Sequence, residues 1–545
     1  VLEPEVLVMD EPTAALDLLM QRSILMLLND LQDTYDLTLA FITHDLPLIT
    51  ALADRMGIIY AFEFLEIGPR DDIINNAGHP YTRALLNATP NLDAPLSEMQ
   101  PIEGDGPAPV NVPSGCSFHP RCPIATEECV RDDPPLYDQG PGHSAACHYV
   151  DEAREEIKLN FGEDAEVADH EREAGDMRAN YEGDPVISLD DVEVHYEEEQ
   201  GLFDIFGDEP DTVRAVDGVD LDVYENDVVA LLGESGCGKT TLGKTSIGLQ
   251  RPTGGSVKYR GQDIWEAKDN GGEIPYDEIR QSLQIIHQDP GASLNPNRRI
   301  LDILSEPLRH THSNISRNER RDRIYSLLDR VGMSPPEDFA DRYPHQLSGG
   351  EKQRVALTRA LLMNPDAILA DEAISAVDVS LRVELMDLMI QLQEEFGTSY
   401  LYISHDLANA RYITEKTGGR IGIIYLGRLV EVGPPEQIIH NPQHPYTKVL
   451  RWATPELRPG GDEVEETPLR EIDIPDAENP PSGCRFHTRC PVAREACVTE
   501  EPGDYEASDA QAHEVACFRA LEDHEYWNSQ PLDEDADLIH PTRDD

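Results

Sequence analysis

One stretch of this chain has the residue types and spacing to hold a polyphosphate: Gly233-Glu234-Ser235-Gly236-Cys237-Gly238-Lys239-Thr240-Thr241. It follows the apolar run Val228-Val229-Ala230-Leu231-Leu232 and opens a helix-compatible stretch from Leu242 to Leu249. Strand, G-x-x-x-x-G-K-[ST] loop and helix together make a phosphate-binding P-loop. The glycines let the backbone wrap a phosphate with its N–H groups pointing inward as an anion nest. The helix that begins near Lys239 adds the positive end of its dipole. Lys239 would reach the β- and γ-phosphates, and the Thr240 hydroxyl would sit on Mg²⁺. The stretch is therefore expected to bind a nucleoside triphosphate.

A second constellation suits hydrolysis of that ligand. The apolar strand Ala367–Ala370 ends in Asp371-Glu372, shortly after Leu347-Ser348-Gly349-Gly350-Glu351-Lys352-Gln353-Arg354. Asp371 would hold Mg²⁺ through water, and Glu372 would orient or deprotonate the attacking water. An isolated Asp-Glu pair at a strand end is more often a helix-start charge pair, so the weight rests on its conjunction with the P-loop.

Cysteines form a third. Cys116, Cys122, Cys129 and Cys147 read C-x5-C-x6-C-x17-C, and Cys484, Cys490, Cys497 and Cys517 read C-x5-C-x6-C-x19-C. Four thiolates in each short Pro/Gly-rich segment could close a zinc site or hold a 4Fe-4S cluster. Neither set has the short C-x2-C pairs usual for zinc. Cys237, the ninth cysteine, fills a variable position of the P-loop.

The elements that must position these groups recur along the chain. Val6-Leu7-Val8-Met9-Asp10-Glu11 returns as Ala367-Ile368-Leu369-Ala370-Asp371-Glu372, and Thr43-His44-Asp45-Leu46 as Ser404-His405-Asp406-Leu407, both 361 residues on. His79-Pro80-Tyr81-Thr82 returns as His444-Pro445-Tyr446-Thr447, and Cys116, Cys122 and Cys129 return 368 residues on. The pattern is that of a duplicated module. Shifted by 361, the P-loop falls before residue 1, so the first copy is expected to be incomplete at its start. Strands are expected at Val6–Met9, Thr38–Thr43, Met56–Tyr60, Val186–Tyr196, Val213–Tyr224, Tyr400–Ser404, Ile421–Tyr425 and Arg428–Val432, with a helix over Leu18–Tyr35. An acidic insert containing Gly201-Leu202-Phe203 separates two of these strands, and a mainly helical stretch should run from about Pro275 to Arg342.

Composition narrows the class. The 545 residues carry 105 acidic and 44 basic side chains, a formal charge of −61, and only 8 of the basic residues are lysine. That excess resembles the acidic proteins of salt-accumulating microbes, halophilic archaea among them, and with no sustained basic stripe it argues against nucleic acid as a partner. No apolar run approaches the ~18 residues of a membrane span, and no signal peptide is visible.

Taken together the motifs resemble the ATP-binding subunits of ABC transporters, which share P-loop, Gln loop, LSGG signature, Walker B pair, D-loop and switch histidine in this order. The resemblance implies an ATPase with a P-loop α/β core and a helical subdomain. It places ATP on Gly233–Thr241, the Gln loop at Gln288 (a further Mg²⁺ contact), the signature at Ser348, Gly349 and Gly350, and Walker B at Asp371 and Glu372. It puts the D-loop at Asp378 and the switch histidine at His405. Tyr196 stands where the family stacks an aromatic on adenine, and an ordinary strand tyrosine is nearly as good a reading. In the first copy Asp10 (for Mg²⁺), Glu11, Asp17 and His44 correspond. Ala373-Ile374 depart from the family's Pro-Thr, which the first copy keeps as Pro12-Thr13, so altered local packing is expected there.

The segments after each core, His-Pro-Tyr-Thr and then Ser-Gly-Cys-x-Phe-His-x-Arg-Cys at 114–122 and 482–490, resemble those of oligopeptide/dipeptide importers, with nickel and sugar importers as relatives. There the resemblance implies an iron–sulfur cluster on the cysteines, two integral-membrane permease subunits, an extracellular solute-binding protein and a cytoplasmic, peripheral location on the cell membrane. Competing readings are a soluble tandem ABC ATPase outside transport and a non-enzymatic remnant that uses nucleotide as a switch. The expected organisation is the C-terminal part of a first module (1–75), its Cys-rich tail (76–150), an acidic linker (151–184), a complete second module (185–440), its Cys-rich tail (441–520) and an acidic C-terminal tail (521–545).

The charge carries its own test. A surface at −61 repels itself, so folding and activity are expected to need salt of molar order, where the screening length is about 3 Å. A cooperative, fully active fold in dilute buffer would contradict this.

Overall fold

Strand β9 (Val228–Leu232) is buried at every position, which its unbroken apolar sequence allows because both faces of a parallel sheet are covered. It belongs to a computed structural model that describes all residues except 1–3, 14–15, 97–98, 103, 105, 108–110, 160–180, 182, 198–211, 312–314, 376, 458–467, 508–512 and 533–545. Most of the acidic linker, the insert around Leu202 and the end of the acidic tail thus lie outside the described residues.

The chain divides into two compact units, one of Val1–Arg172, Val377–Met386 and Ala453–Glu466, the other of Glu173–Ala376, Asp387–Trp452 and Thr467–Asp545. In the first, β1 (Val6–Asp10) pairs in parallel with β2 (Thr38–Ile42). Helix Leu18–Tyr35 runs between them, its first turn capped by Asp17, whose carboxylate accepts from Met20 N at 3.0 Å. Strands β3 (Arg55–Tyr60), β4 (Glu63–Pro69), β5 (Tyr137–Gly140) and β6 (His143–Ala145) form a separate antiparallel sheet in the order β3-β4-β6-β5.

The second unit has two sheets. β7 (Ile187–Glu197), β8 (Thr212–Val223), β10 (Gly254–Tyr259) and β11 (Gln262–Asp263) make an antiparallel sheet ordered β11-β10-β7-β8. The larger sheet adds β12 (Leu283–Ile286), β13 (Ala367–Asp371), β14 (Ser399–Ile403), β15 (Arg420–Tyr425), β16 (Arg428–Gly433), β17 (Tyr505–Glu506) and β18 (Glu514–Val515) to β9. Its order is β12-β13-β14-β9-β15-β16-β18-β17, parallel from β12 to β15 and antiparallel beyond. Valines of β7 and β8, Val229, Leu231, Leu242 and Leu369 share one core. Neighbours decide burial: β13, flanked on both sides, is buried throughout, while β1, paired only with β2, leaves Val6 and Val8 56 % and 64 % exposed.

The stretch from Pro275 to Arg342 is mainly helical, as expected, with Leu283–Ile286 inserted as the edge strand β12 between two short helices. The helix after the P-loop starts at Lys239, as expected, but ends at Ser246, short of the expected Leu249, since Gly248 turns the chain with φ +70°.

Both His-Pro-Tyr segments are anchored by a buried carboxylate. Glu66 accepts from Gly78 N at 2.6 Å and His79 N at 3.1 Å and lies 2.8 Å from His143 Nε2. Glu431 accepts from Gln443 N at 2.7 Å and His444 N at 3.0 Å and lies 3.0 Å from His513 Nε2. In each segment the histidine's Nδ1 accepts the N–H of the tyrosine two residues on, as a helix cap does. Burial outweighs the nearby glutamate's charge and pushes both His79 and His444 down to about 4.

These histidines stay neutral in the folded chain while an unfolded one protonates near 6.5. Depressed folded values mean stability that is full above about pH 6.5 and drains as pH falls toward about 4, by about 3 kcal/mol per histidine. The stability of the native chain relative to a His444→Asn variant, which keeps a capping acceptor, should fall by roughly two-thirds of that amount between pH 7 and 4.5. A pH-independent difference would contradict the assignment.

Candidate functional site

Four adjacent parallel strands deliver their carboxyl ends to one place, the edge at which open α/β sheets bind ligands. Gln288 follows β12, Asp371 ends β13 with Glu372 just after it, His405 follows β14, and the P-loop follows β9.

The loop leaves β9 through Gly233 at φ +156° and enters its helix through Gly238 at φ +105°. A Cβ at Gly233 would stand 2.2 Å from Ile424 O, and one at Gly238 would stand 2.0 Å from Ala215 O, so neither position accepts a side chain. Lys239 is buried at the base of the loop, its ammonium donating to Gly233 O at 2.7 Å and Glu234 O at 2.9 Å. Cys237 Sγ lies 3.7 Å from the same ammonium. Thr240 Oγ1 donates to Asp371 Oδ1 at 3.1 Å, bringing a hydroxyl and a carboxylate together. Burial pushes the Asp371 carboxyl up, with the charge of Glu372 adding to it against the Thr240 bond. A buried carboxylate beside a hydroxyl is the hard-oxygen pair that suits Mg²⁺.

Glu372 adopts a left-handed backbone, φ +47°, as its counterpart Glu11 does at +45°. A non-glycine residue held there carries strain of order 1–3 kcal/mol. Glu372 N donates to Ile403 O at 3.0 Å, which fixes the turn against β14. Its carboxylate accepts from Gln288 Nε2 at 2.8 Å and lies 3.5 Å from His405 Nδ1. The His405 bond holds the Glu372 carboxyl below the usual range despite burial, and on His405 burial is outweighed by Glu372, so the imidazole is pushed up. In the first unit Glu11 and His44 stand closer, at 2.7 Å. Asp10 ends β1, and Asp17 serves there as a helix cap.

Ser348, Gly349 and Gly350 open helix Gly349–Leu361. Ser348 Oγ accepts from Glu351 N at 3.2 Å while Glu351 Oε2 accepts from Ser348 N at 2.6 Å, a capping box. Asp378, in the first unit, is exposed. Tyr196, near the end of β7, is 44 % exposed and presents its ring outward. Ala373 and Ile374 are buried, and the Gln353 amide donates to Ala373 O.

All nine cysteines are free thiols. Cys484, Cys490, Cys497 and Cys517 line one cavity together with Phe486, Phe518 and Tyr526. Burial drives all four thiols up, Cys517 to about 11. Cys147 is pushed up to about 12 by burial and by Cys122, Cys116 and Cys129 around it. Among the described residues, however, no three His, Cys, Asp or Glu side chains converge on a position for a single metal ion.

Sequence reasoning missed the groups that hold the P-loop from behind. Glu234 N donates to Tyr446 Oη at 2.9 Å, and the Glu234 carboxylate meets Arg489 Nη1 at 2.8 and 3.1 Å. The only signal was that arginine precedes the second cysteine in both Cys segments, as Arg121 and Arg489.

Comparison with known proteins places the chain. The family model "ABC transporter" matches residues 216–375, and "Oligopeptide/dipeptide transporter, C-terminal region" matches at 65–129 and again at 430–497. The oligopeptide transport ATP-binding protein AppF of Bacillus subtilis is 41 % identical over 333 residues, 61 % of this chain and 96 % of its own length. OppF of Salmonella typhimurium, also an oligopeptide transport ATP-binding protein, is 40 % identical over 334 residues, with the same coverage. The glutathione import ATP-binding protein GsiA of Escherichia coli is 35 % identical over 473 residues, 87 % of this chain but 64 % of its own length. A solved dimeric ATP-binding cassette with ADP and Pi aligns over 46 % of this chain and 98 % of its own at 28 % identity and a TM-score of 0.38. No helix among the described residues is long and apolar enough to cross a membrane. The chain belongs to the ATP-binding proteins of ABC transporters of the oligopeptide/dipeptide importer type, and it is an ATPase that uses ATP and Mg²⁺.

Proposed function

We propose that this chain energises import of di- or oligopeptides from the cytoplasmic face of a membrane, working with two permease subunits and an extracellular solute-binding protein. The observation that carries the reading is the pair of oligopeptide/dipeptide C-terminal regions, each taking in the first three cysteines of one set. The repeat spacing supports two modules in one chain, with the boundaries 1–75, 76–150, 151–184, 185–440, 441–520 and 521–545.

The geometry of the second unit supports most of the hydrolytic roles in this reading. The backbone of Gly233–Thr241 and the Lys239 ammonium bind the phosphates, and Tyr196 offers its exposed ring to adenine. Thr240, Asp371 and Gln288 would hold Mg²⁺, which when bound neutralises charge on the transferred phosphoryl group. Glu372, held below the usual carboxylate range by its bond to His405, accepts the proton of the attacking water. His405 keeps that carboxylate oriented, and its raised value lets it donate toward the γ-phosphate. Ser348–Gly350 and Asp378 face nucleotide across a pair of closed modules, which ties turnover to closure. In the first module Asp10, Glu11 and His44 take the corresponding parts.

Cys484, Cys490, Cys497 and Cys517, which line one apolar cavity, are assigned to an iron–sulfur cluster, with zinc as the alternative. Cys116, Cys122, Cys129 and Cys147 take the same assignment in the first tail. The cluster would staple a segment with little apolar core.

Two measurements test these readings. In proteoliposomes with the partner permease, ATP hydrolysis should rise when binding protein loaded with a short peptide is added. Stimulation by nickel- or sugar-loaded binding protein alone would contradict the cargo. Anaerobically purified chain should be brown and carry iron near two clusters per molecule, whereas stoichiometric zinc without iron would contradict the cluster.

A further inference from the structure

The loop that holds the phosphates is tied to the cysteine-rich tail of its own unit by two contacts that bridge more than two hundred residues of sequence. The first is the buried Arg489–Glu234 pair, in which Glu234 is the second residue of the loop. The arginine is 1 % and the glutamate 4 % exposed. Arg489 also reaches Tyr425 Oη at 3.5 Å, and its guanidinium lies 5.7 Å from the Tyr425 ring and 5.9 Å from the Phe486 ring. The second contact is the Glu234 N–H bond to Tyr446 Oη, from a tyrosine whose ring packs on Tyr425 at 4.7 Å and Phe486 at 5.3 Å.

A parallel tie lies on the other side of the loop. Arg485 pairs with Asp217 on β8 and donates to Leu426 O. The next residue, Gly427, donates its N–H to Cys237 O at 2.9 Å and accepts from Asp217 N at 3.0 Å. The loop is thus gripped at Glu234 and at Cys237. Both arginines that do this adjoin cysteines, in Cys484-Arg485 and Arg489-Cys490.

Burying a charge pair is no route to stability in itself, because desolvation offsets most of the attraction. A guanidinium fixed on both oxygens of a carboxylate instead sets a geometry. Here the geometry set is that of the residue from which the anion nest begins. Lys239 draws on the same residue, since its ammonium rests on Glu234 O.

We infer that Arg489 and Tyr446 are positioning residues of the ATP site: acting through Glu234, they hold the phosphate-binding loop in its ligand-ready shape, and the cysteine-rich tail is their brace. The inference rests on the assignment of Gly233–Thr241 as the ATP site. It gives the tail a task in nucleotide binding itself, whatever cargo the importer takes.

The test separates affinity from turnover in the full chain. MgATP binding by calorimetry, kcat, KM and the melting midpoint are measured for Arg489→Gln, Arg489→Lys, Tyr446→Phe and Lys239→Ala. Arg489→Gln should weaken MgATP binding and raise KM at least tenfold with kcat within threefold of wild type. Arg489→Lys should recover most of that loss. Tyr446→Phe, which removes one acceptor and should fold normally, should raise KM about threefold to tenfold at unchanged melting midpoint, and it decides the matter if Arg489→Gln does not fold. Unchanged KM in Tyr446→Phe and Arg489→Gln, while Lys239→Ala loses binding, would overturn the inference and leave the site assignment standing. Normal MgATP binding by Lys239→Ala would overturn the assignment and the inference with it.

Discussion

A phosphate-binding loop must keep a run of backbone N–H groups pointing inward at one anion, a conformation with few internal bonds of its own. The rest of the second unit can be read as the answer to that constraint. Strand β9 fixes where the loop starts, because it is locked between β14 and β15 and buried at all five positions. Gly233 and Gly238 take backbone angles and close approaches that a side chain would forbid. Helix Lys239–Ser246 fixes where the loop ends, and the positive end of its dipole lies at the loop.

The same sheet lines up the groups proposed for hydrolysis. Because β12, β13, β14 and β9 run parallel and adjacent, Gln288, Glu372, His405 and the P-loop emerge at one edge although the sequence spreads them over 172 residues. Glu372 pays for its place with a left-handed backbone, and the turn is held by its N–H bond to β14. After it, Ala373 and Ile374 are buried and the Gln353 amide donates to Ala373 O. An imidazole and a carboxylate in mutual contact each favour the other's charged form, which pushes one up and the other down.

Much of this was legible in the residues. Parallel strands with continuous apolar runs, such as Val228–Leu232 and Ala367–Asp371, announce themselves because both faces are covered, and the glycine spacing of the P-loop follows from phosphate geometry. The four-residue strand Leu283–Ile286 was not legible, because a run that short cannot be told from a helical turn by periodicity. The hairpin of β17 and β18 was hidden for a related reason: each strand has two residues, and their pairing comes from β16 and buried Glu431. Least legible were Arg489 and Tyr446. Nothing local in a Cys-rich segment tells an arginine that its carboxylate lies 255 residues away, since such a contact exists only once the sheet has formed. Ser348–Gly350 was legible as a motif, but its role as a capped helix start, with reciprocal bonds to Glu351, emerges only from the backbone geometry.

The central claim is that the second unit's loop and the Glu372–His405 pair form a hydrolytic ATP site in which binding and chemistry are carried by different residues. The most direct measurement is single-turnover release of labelled phosphate from MgATP by the native chain and by Glu372→Gln, with bound nucleotide quantified in the same samples. The account predicts that Glu372→Gln retains ATP while phosphate release falls by a factor of order 10²–10⁴, the usual contribution of a positioned general base. Phosphate release by Glu372→Gln at the native rate would contradict it.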